Sequence, residues 1–261
     1  MSDYEALLLG LVQGLTEFLP VSSSGHLVVY STLLGLDTGG GLLFEVAVHV
    51  ATLFAIMIYY RDKIGRLIKG VFTREQASIR YVGKLVVATL PTIVAVIASS
   101  QFLEEVLSNP AVAAGGLIVT GAVLWTTRTT LPAAKNNEPT WKAAFYIGVA
   151  QAFAILPGIS RSGSTVAAAM AMGVAPAAAA QFSFLMGIIA ISGAAILMIP
   201  ELGAASPEAL TSIALGSLSA LVSGIVAIWL FVLVLRRESF HQFAYYTVTL
   251  GLAFGLYVWF A

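Results

Sequence analysis

The chain has 261 residues, of which 59% are hydrophobic and 10% charged, and its formal net charge is zero. Apolar stretches long enough to cross a bilayer recur along it, which excludes a soluble globular protein and predicts an all-α polytopic membrane protein. No basic arm or aromatic-basic patch is present, so we expect no nucleic-acid partner. The absence of cysteine excludes disulfides and thiolate chemistry.

The first residues carry Asp3 and Glu5 where a secretory signal peptide carries Lys or Arg, so we expect no signal peptide to be removed. Hydropathy and helix breakers then predict ten helical segments. A spanning helix needs about 20 residues, and the four segments that flank two Leu-Pro loops are shorter. We therefore expect two re-entrant helix-loop-helix pairs and six crossings, over residues 4–19, 23–35, 43–60, 80–100, 111–127, 142–156, 162–173, 176–199, 208–235 and 241–260.

Charges between the segments predict the sidedness. Seven of the 13 basic residues lie between the third segment and the first turns of the fourth, which places that connection in the cytoplasm by the positive-inside rule. The connections that follow are alternately acidic and basic, without exception. The acidic ones contain Glu104, Glu105, Glu201 and Glu208; the basic ones contain Arg128, Lys135, Lys142, Arg236 and Arg237.

This alternation predicts two halves of opposite orientation. If the third segment ends inside at Arg61, it starts outside near Asp37, and a re-entrant pair before it leaves the N-terminus outside. The second re-entrant pair follows Lys142 and enters from inside. Three short crossings would give the same parity, but the segment lengths favour the re-entrant pair. We expect an inverted repeat, with repeat 1 over about 1–128, a linker over about 129–140 and repeat 2 over about 141–261.

The first Leu-Pro loop follows Gln13 and Glu17, whose i, i+4 spacing places them on one face of the first half-helix. Three consecutive serines and a glycine lead into the second half-helix, where hydroxyls and free backbone N–H groups are typical of an anion site. His26 follows in the first turn and could be a nucleophile, an acid or a base. The serines and the glycine are Ser22, Ser23, Ser24 and Gly25.

The second Leu-Pro loop contains Arg161, a guanidinium at membrane depth that needs an anion. Its planar donor fork and the hydroxyls around it favour phosphate. An internal salt bridge to Glu17, present when no ligand is bound, is the alternative. The surrounding candidate phosphate ligands are Ser160, Ser162, Gly163 and Thr165.

Glu45 and His49 form another i, i+4 pair, just inside the outer end of the third segment. They could shape the pocket or the environment of a metal, or they could be an interfacial hydrogen-bonded pair.

The stretches QGLTEFLPVSSSGH (13–26) and PGISRSGST (157–165) resemble the two signature motifs of the bacitracin-resistance type undecaprenyl pyrophosphate phosphatases. The resemblance extends to the length, the number of helices and the region Phe44–His49, so it covers essentially the whole chain. That family has Glu or Gln at the position of Gln13, and Gln leaves one carboxylate fewer for a metal.

The resemblance implies hydrolysis of undecaprenyl pyrophosphate to undecaprenyl phosphate and inorganic phosphate, which recycles the lipid carrier for cell-wall synthesis and gives bacitracin resistance. It also implies a divalent cation, Mg or Ca, and an active site on the outer face of the cytoplasmic membrane. The expected partners are the polyprenyl pyrophosphate and membrane lipids, and a homodimer is one expectation for the assembly.

In the mechanism that follows, Arg161 with Ser160 and Thr165 clamps the phosphates. Glu17, helped by Gln13, holds the cation or takes a proton. The nucleophile stays open between Ser23, His26 and a metal-bound water.

Transport is the alternative function. Inverted repeats with broken helices are a transporter plan, so the same loops could bind a lipid phosphate or an anion for a flippase or carrier without hydrolysing it.

Overall fold

The structure, a computed structural model, describes residues 1–34, 41–198 and 207–260. Within these ranges, the side chains of residues 34, 41–42, 99–105, 107–108, 197–198 and 207–208 are outside the described set. The acidic residues that we used to assign the outer face therefore lie outside the described backbone or side chains. These are Asp37, Glu104, Glu105, Glu201 and Glu208.

Regular structure in the described ranges is helical. Short 3-10 turns occupy Leu131–Ala133 and Phe240–Gln242, and one isolated bridge joins Asn136 to Val174. The α-helices are α1 Asp3–Phe18, α2 Ser23–Leu34, α3 Gly41–Tyr59, α4 Arg61–Phe72, α5 Gln76–Ser108, α6 Pro110–Thr130, α7 Trp141–Phe153, α8 Arg161–Ala171, α9 Pro176–Met198, α10 Pro207–Arg236 and α11 Phe243–Phe260.

The polytopic membrane fold is confirmed by helix length and composition. Five stretches in the described ranges are long and apolar enough to cross a membrane: they lie in α5, in α6 with the 3-10 turn after it, in α9, in α10, and in α11 with the 3-10 turn before it. Helices α3 and α4 pass the same test only when they are taken together as one bent pair. The predicted half-helices are short: α1, α2, α7 and α8 have 16, 12, 13 and 11 residues. Their lengths agree with two re-entrant pairs, because none reaches the roughly 20 residues of a span.

Polar residues at helix starts explain several of the helix boundaries. Ser2 forms a capping box with Glu5 at the start of α1. Asn109 accepts bonds from two backbone N–H groups at the start of α6, and Thr140 and Ser160 cap α7 and α8 in the same way. The cap at Ser160 fixes where the second Leu-Pro loop ends and helix α8 begins.

The packing of the helices relates the two predicted halves. The first half-helix of each half packs against the second crossing of the other half, α1 on α10 and α7 on α5. The first crossings, α3 and α9, also pack together, as do the third crossings, α6 and α11. A two-fold relation produces these reciprocal pairs, which supports the expected inverted repeat. The boundaries of its halves stay a prediction.

The core lies beside the loops and holds the first one in place. Phe18 is fully buried and packs edge-on against Phe184, which packs edge-on against Phe231, with ring centroids 5.6 and 5.1 Å apart. Edge-to-face pairs at these separations are favourable. Phe18 directly follows Glu17, so the aromatic cluster fixes the position of that carboxylate.

Helix α4 was not expected from the sequence, which we interpreted as a cytoplasmic connection between the third and fourth segments. It follows α3 after a bend of 77°. Its many basic residues give it low hydropathy, and a search for apolar segments misses such a helix.

Candidate active site

The two Leu-Pro loops meet in one small pocket. Its volume is about 100 Å³, and both loops line it. Gly25 and Gly158 lie at the contact between the loops, where a side chain on Gly25 would come within 2.9 Å of the backbone of Gly158. The lining residues are Thr16, Glu17, Ser22, Ser23, Ser24, Ala154, Ile159, Ser160 and Arg161.

Glu17 is the centre of the pocket. It lies in the last turn of α1, and 9% of its surface is exposed. Its Oε2 accepts hydrogen bonds from the amide of Gln13 at 3.1 Å and from the hydroxyl of Ser23 at 2.8 Å. Its Oε1 accepts a hydrogen bond from Arg161 Nη2. A buried carboxylate is stable only with such partners, and these come from both loops.

Arg161 occupies the first position of α8, directly after the cap at Ser160. Arg161 forms an ion pair with Glu17, which joins the second loop to the first. This is the internal salt bridge that the sequence suggests as the alternative to a phosphate partner. The side chain is 16% exposed, so a ligand can reach it. Gly187 on α9 makes room for it, because a Cβ at that position would overlap with the guanidinium.

The serines of the first loop are held in an unusual backbone. Ser22 has a φ of 68°, in the left-handed region that residues with a side chain rarely adopt. Its hydroxyl accepts a hydrogen bond from the Gly25 N–H at 3.2 Å and lies 3.2 Å from the Ser24 hydroxyl. This turn leaves Ser23 as the serine that reaches Glu17.

His26 supports this turn with both of its ring nitrogens. Nδ1 lies 2.8 Å from the carbonyl oxygen of Ser22, which can only accept, so Nδ1 donates. In the neutral ring Nε2 is then an acceptor, and the Tyr246 hydroxyl donates to it at 2.7 Å. The structure therefore does not bring a free imidazole nitrogen of His26 into the pocket.

The hydroxyls of the second loop divide into two groups. Ser160 lines the pocket, and its Oγ lies 3.3 Å from the hydroxyl of Ser162, which donates to the carbonyl of Leu19. Ser160 Oγ also accepts the Gly163 N–H at 3.1 Å. Thr165 is fully buried, and its hydroxyl lies 2.5 Å from that of Ser183 on α9. The structure brings Ser160 to the pocket and places Thr165 behind it, against α9.

Glu45 and His49 lie on α3, on the side of the first loop. His49 Nε2 is 3.9 Å from Glu17 Oε2, and its Nδ1 donates to the Glu45 carbonyl at 2.8 Å. His49 thus lies at the edge of the group of side chains that bind Glu17. Glu45 lies one turn closer to the start of α3.

The pocket offers few protein ligands for a cation. Among the described residues, no group of three or more His, Asp or Glu side chains is suited to a metal ion. Gln13 Oε1 is buried without a hydrogen-bond partner, and its amide nitrogen binds Glu17. One carboxylate and one orphaned amide oxygen fit a Mg²⁺ or Ca²⁺ ion that takes its other ligands from substrate phosphates and water.

Sequence reasoning missed three residues that support the loops. Tyr246 lies 220 positions from His26, and Ser183 meets Thr165. Thr120 on α6 donates to the Gly158 carbonyl at 2.7 Å and accepts the Ser160 N–H at 2.8 Å. Each lies on a different element of the fold from its partner, 18 to 220 positions away, and such a residue carries no local signal. Only the packing identifies them.

Comparison with known proteins identifies the family. The profile of the family described as "Bacitracin resistance protein BacA" matches residues 6–253. A protein of Salinibacter ruber named "Undecaprenyl-diphosphatase" is 39% identical, with 99% of each chain covered. Proteins of the same name are 37% identical in Alteromonas mediterranea, over 100% of this chain and 99% of theirs, and 35% identical in Desulforapulum autotrophicum, over 97% of each. With two loops that join a serine, a carboxylate and an arginine in one pocket, the chain belongs to the bacitracin resistance protein family.

Proposed function

We propose that the chain hydrolyses undecaprenyl pyrophosphate to undecaprenyl phosphate and inorganic phosphate, which recycles the lipid carrier for peptidoglycan and cell-wall synthesis and gives bacitracin resistance. One observation carries this proposal: Ser23, Glu17 and Arg161 meet in a buried pocket built from two distant loops. They are a nucleophile, a base and an anion ligand. The names of the relatives agree with this activity.

The pyrophosphate binds between the two loops. Arg161 exchanges its carboxylate partner for the terminal phosphate, to which its planar fork can donate two parallel hydrogen bonds. The isoprenyl tail lies along the apolar helices and needs no polar partner there. Ser22 and Ser160, which line the pocket, donate to the phosphates, and the N-termini of α2 and α8 add favourable dipoles.

The reaction starts at the hydroxyl of Ser23, which already donates a hydrogen bond to the proposed base, Glu17. As Arg161 moves to the phosphate, Glu17 loses its cationic partner and takes the proton of Ser23. Ser23 Oγ bonds to the terminal phosphorus, and the bridging P–O bond breaks so that undecaprenyl phosphate leaves with the electron pair. Water then attacks the phosphoserine. Its oxygen bonds to phosphorus, the Oγ–P bond breaks, and phosphate is released as Ser23 regains a proton.

His26 is less suited to attack. Its two ring nitrogens hold the Ser22 carbonyl and the Tyr246 hydroxyl, so no lone pair is directed at the pocket. We assign it to the support of the serine turn. Direct attack by water, with Glu17 as the base, is the competing route.

A divalent cation, Mg²⁺ or Ca²⁺, would be held by Glu17 and Gln13 Oε1 together with substrate phosphates. When bound, it would neutralise charge that develops on the phosphates. The residues of this chain that orient the substrate are the same with or without it.

The site is proposed to open to the outer face of the cytoplasmic membrane. His49, which lies beside Glu17, is eight residues from the start of α3, and Glu45 lies between them. At about 1.5 Å per residue this is a depth of roughly 12 Å. The basic residues at the other end of α3 indicate that the start of α3 faces the outside of the cell. Glu45 and His49 would then be polar side chains between the pocket and the outer surface.

Transport by the same pocket is not favoured, because a carrier has no use for a serine held against a carboxylate. The homodimer stays a prediction, which light scattering of the purified protein would check.

Release of phosphate from undecaprenyl pyrophosphate by the purified protein in detergent tests the function. We expect turnover by the wild type and none above background by Ser23→Ala. Substrate labelled in the terminal phosphate should label the wild type on a serine ester, and Ser23→Ala should stay unlabelled. No phosphate release by folded wild type would contradict the proposal, and turnover without label would favour direct attack by water.

A further inference from the structure

A second cavity lies far from the loops, between α4, the start of α5 and residues 137–138. Its volume is about 520 Å³, within the range of sites that bind small molecules. Side chains that donate hydrogen bonds dominate the lining, and three of them are cations on α4. The donors are Lys63, Arg66, Lys69, Thr73, Ser78, Tyr81 and Asn137, of which Thr73 and Ser78 already donate to the carbonyl of Lys69 and to Glu75.

The three cations outnumber the carboxylates that face them. Among the described residues, no carboxylate lies within 4.0 Å of Lys63, Arg66 or Lys69 in an ion pair. Two carboxylates share the lining: Glu75 accepts from Ser78 at 2.7 Å, and Glu138 pairs with Lys84 at 3.3 Å. Both offset part of the charge of Lys63. With Lys84 matched to Glu138, three cations face the single remaining carboxylate, so an anion in the cavity would meet an excess of positive charge.

Lys63 is the most confined of the three. Its Nζ lies 4.3 Å from the centre of the Tyr81 ring, which is favourable for a cation. Burial and then the nearby charge of Arg66 lower the pKa of Lys63 from its usual value. An anion between the two residues would offset both effects.

Another side of α4 is apolar, and it adjoins the basic side where Phe72 follows Lys69 by three positions. Ile64, Ile68, Val71 and Phe72 follow the spacing i, i+4, i+7, i+8 and so share one side of the helix. Ile68, Val71 and Phe72 are 53%, 39% and 84% exposed. With α3 as a membrane crossing, the bend of 77° between the two helices orients α4 close to the membrane plane. A helix with one apolar and one basic face in this position lies in the interface.

We propose that this cavity binds the phosphate of an anionic phospholipid of the cytoplasmic leaflet. The cations contact the phosphate, and the acyl chains pass beside Ile68 and Phe72 into the bilayer. A soluble phosphate compound would find the same cations, but it would leave the exposed apolar face of α4 unused. The neighbouring apolar and basic surfaces therefore favour a lipid, and the site is separate from the candidate active site.

Native mass spectrometry of the purified full chain with phosphatidylglycerol tests this site. The variant with Lys63→Gln, Arg66→Gln and Lys69→Gln should bind the lipid roughly a hundredfold more weakly, about fivefold for each cation. The matched control carries Arg128→Gln, Arg236→Gln and Arg237→Gln, which remove the same charge from other cytoplasmic ends. It should bind within about threefold of the wild type. Phosphate release in detergent, measured without added phospholipid, should be equal in all three proteins and shows that they are folded.

Two further measurements separate the sources of the phosphate. Ile68→Ser with Phe72→Ser should weaken binding of phosphatidylglycerol but leave binding of glycerol phosphate unchanged. Equal affinity of the wild type for glycerol phosphate and for the lipid would overturn the assignment to a lipid. Unchanged lipid binding by the α4 variant, or an equal loss in the control, would overturn the site itself.

Discussion

The two Leu-Pro loops occupy related positions but contribute different chemistry. The first carries Glu17 and Ser23, 2.8 Å apart, in a turn strained at Ser22. The second carries Arg161 behind a regular helix cap at Ser160. The strained loop holds the groups that change in the reaction, and the regular loop holds the group that binds charge. Because the two sets of groups lie on separate elements, a ligand can replace Glu17 as the partner of Arg161 while the serine turn keeps its place beside Glu17.

The largest effect should come from the first loop. Ser23→Ala removes the proposed nucleophile and should lower kcat for phosphate release by about a thousandfold or more. Ser24→Ala is the control, because Ser24 lines the pocket but contacts Ser22 rather than Glu17; it should change kcat by less than about tenfold. A Ser23→Ala enzyme within tenfold of wild type would remove the assignment of the nucleophile to this loop.

The second loop should show a smaller loss. Arg161→Lys keeps the charge and the ion pair to Glu17 but loses the planar fork, so kcat/KM should fall about 100- to 1000-fold. The thermal unfolding temperature should stay near that of the wild type. Arg236→Lys, at the exposed end of α10, serves as the control and should have no effect. Near-normal turnover of Arg161→Lys would mean that a point charge is sufficient.

The position of Arg161 can be changed without altering the residue. A Cβ at Gly187 would overlap with the guanidinium, whereas a Cβ at Gly193 on the same helix meets nothing within 4 Å. Gly187→Ala should lower kcat/KM about tenfold to a hundredfold by displacing Arg161. Gly193→Ala should match the wild type. Equal activities of the two variants would show that the neighbouring structure accommodates the extra methyl group.

The support of the first loop from α11 should have a modest effect. Tyr246→Phe removes the hydrogen bond to His26 Nε2 and should lower kcat about fivefold, the value of one such bond. In a His26→Ala background the same change should have little further effect, because the bond is already absent. Tyr245→Phe, whose ring packs on Trp125, is the control. Additive effects of the His26 and Tyr246 changes would contradict a shared role.

The smallest effect on activity is expected behind the second loop. Thr165→Val removes the bond to Ser183 and should reduce the free energy of unfolding by about 1 kcal/mol. We expect KM to change by less than about twofold, because Thr165 faces α9. A large rise in KM would restore the phosphate-binding role that the motif suggests for this residue. Thermal melts and initial rates measure the two quantities.

The half-helices and the pocket were largely predictable, while α4 was not. Short apolar stretches around Leu-Pro are visible because a span has a minimum length, and Arg161 is visible because a guanidinium at membrane depth needs an anion. Helix α4 has the basic residues of a cytoplasmic connection. A search for long apolar segments does not detect it, because its apolar residues occupy only one side of a short helix. The sequence left His26 as a candidate nucleophile, because it does not reveal that both ring nitrogens form hydrogen bonds, one with the Ser22 carbonyl and one with the Tyr246 hydroxyl.

The sequence by itself determined that the protein lies in a membrane, that it contains two Leu-Pro loops, and which residue types those loops carry. Composition, segment length and charge alternation suffice for this, because the bilayer imposes one length and one polarity on each crossing. Only the tertiary structure decided which serine reaches Glu17, that Arg161 pairs with Glu17, and that the Tyr246 hydroxyl bonds to Nε2 of His26. These contacts join residues up to 220 positions apart, and local sequence patterns do not encode such distances.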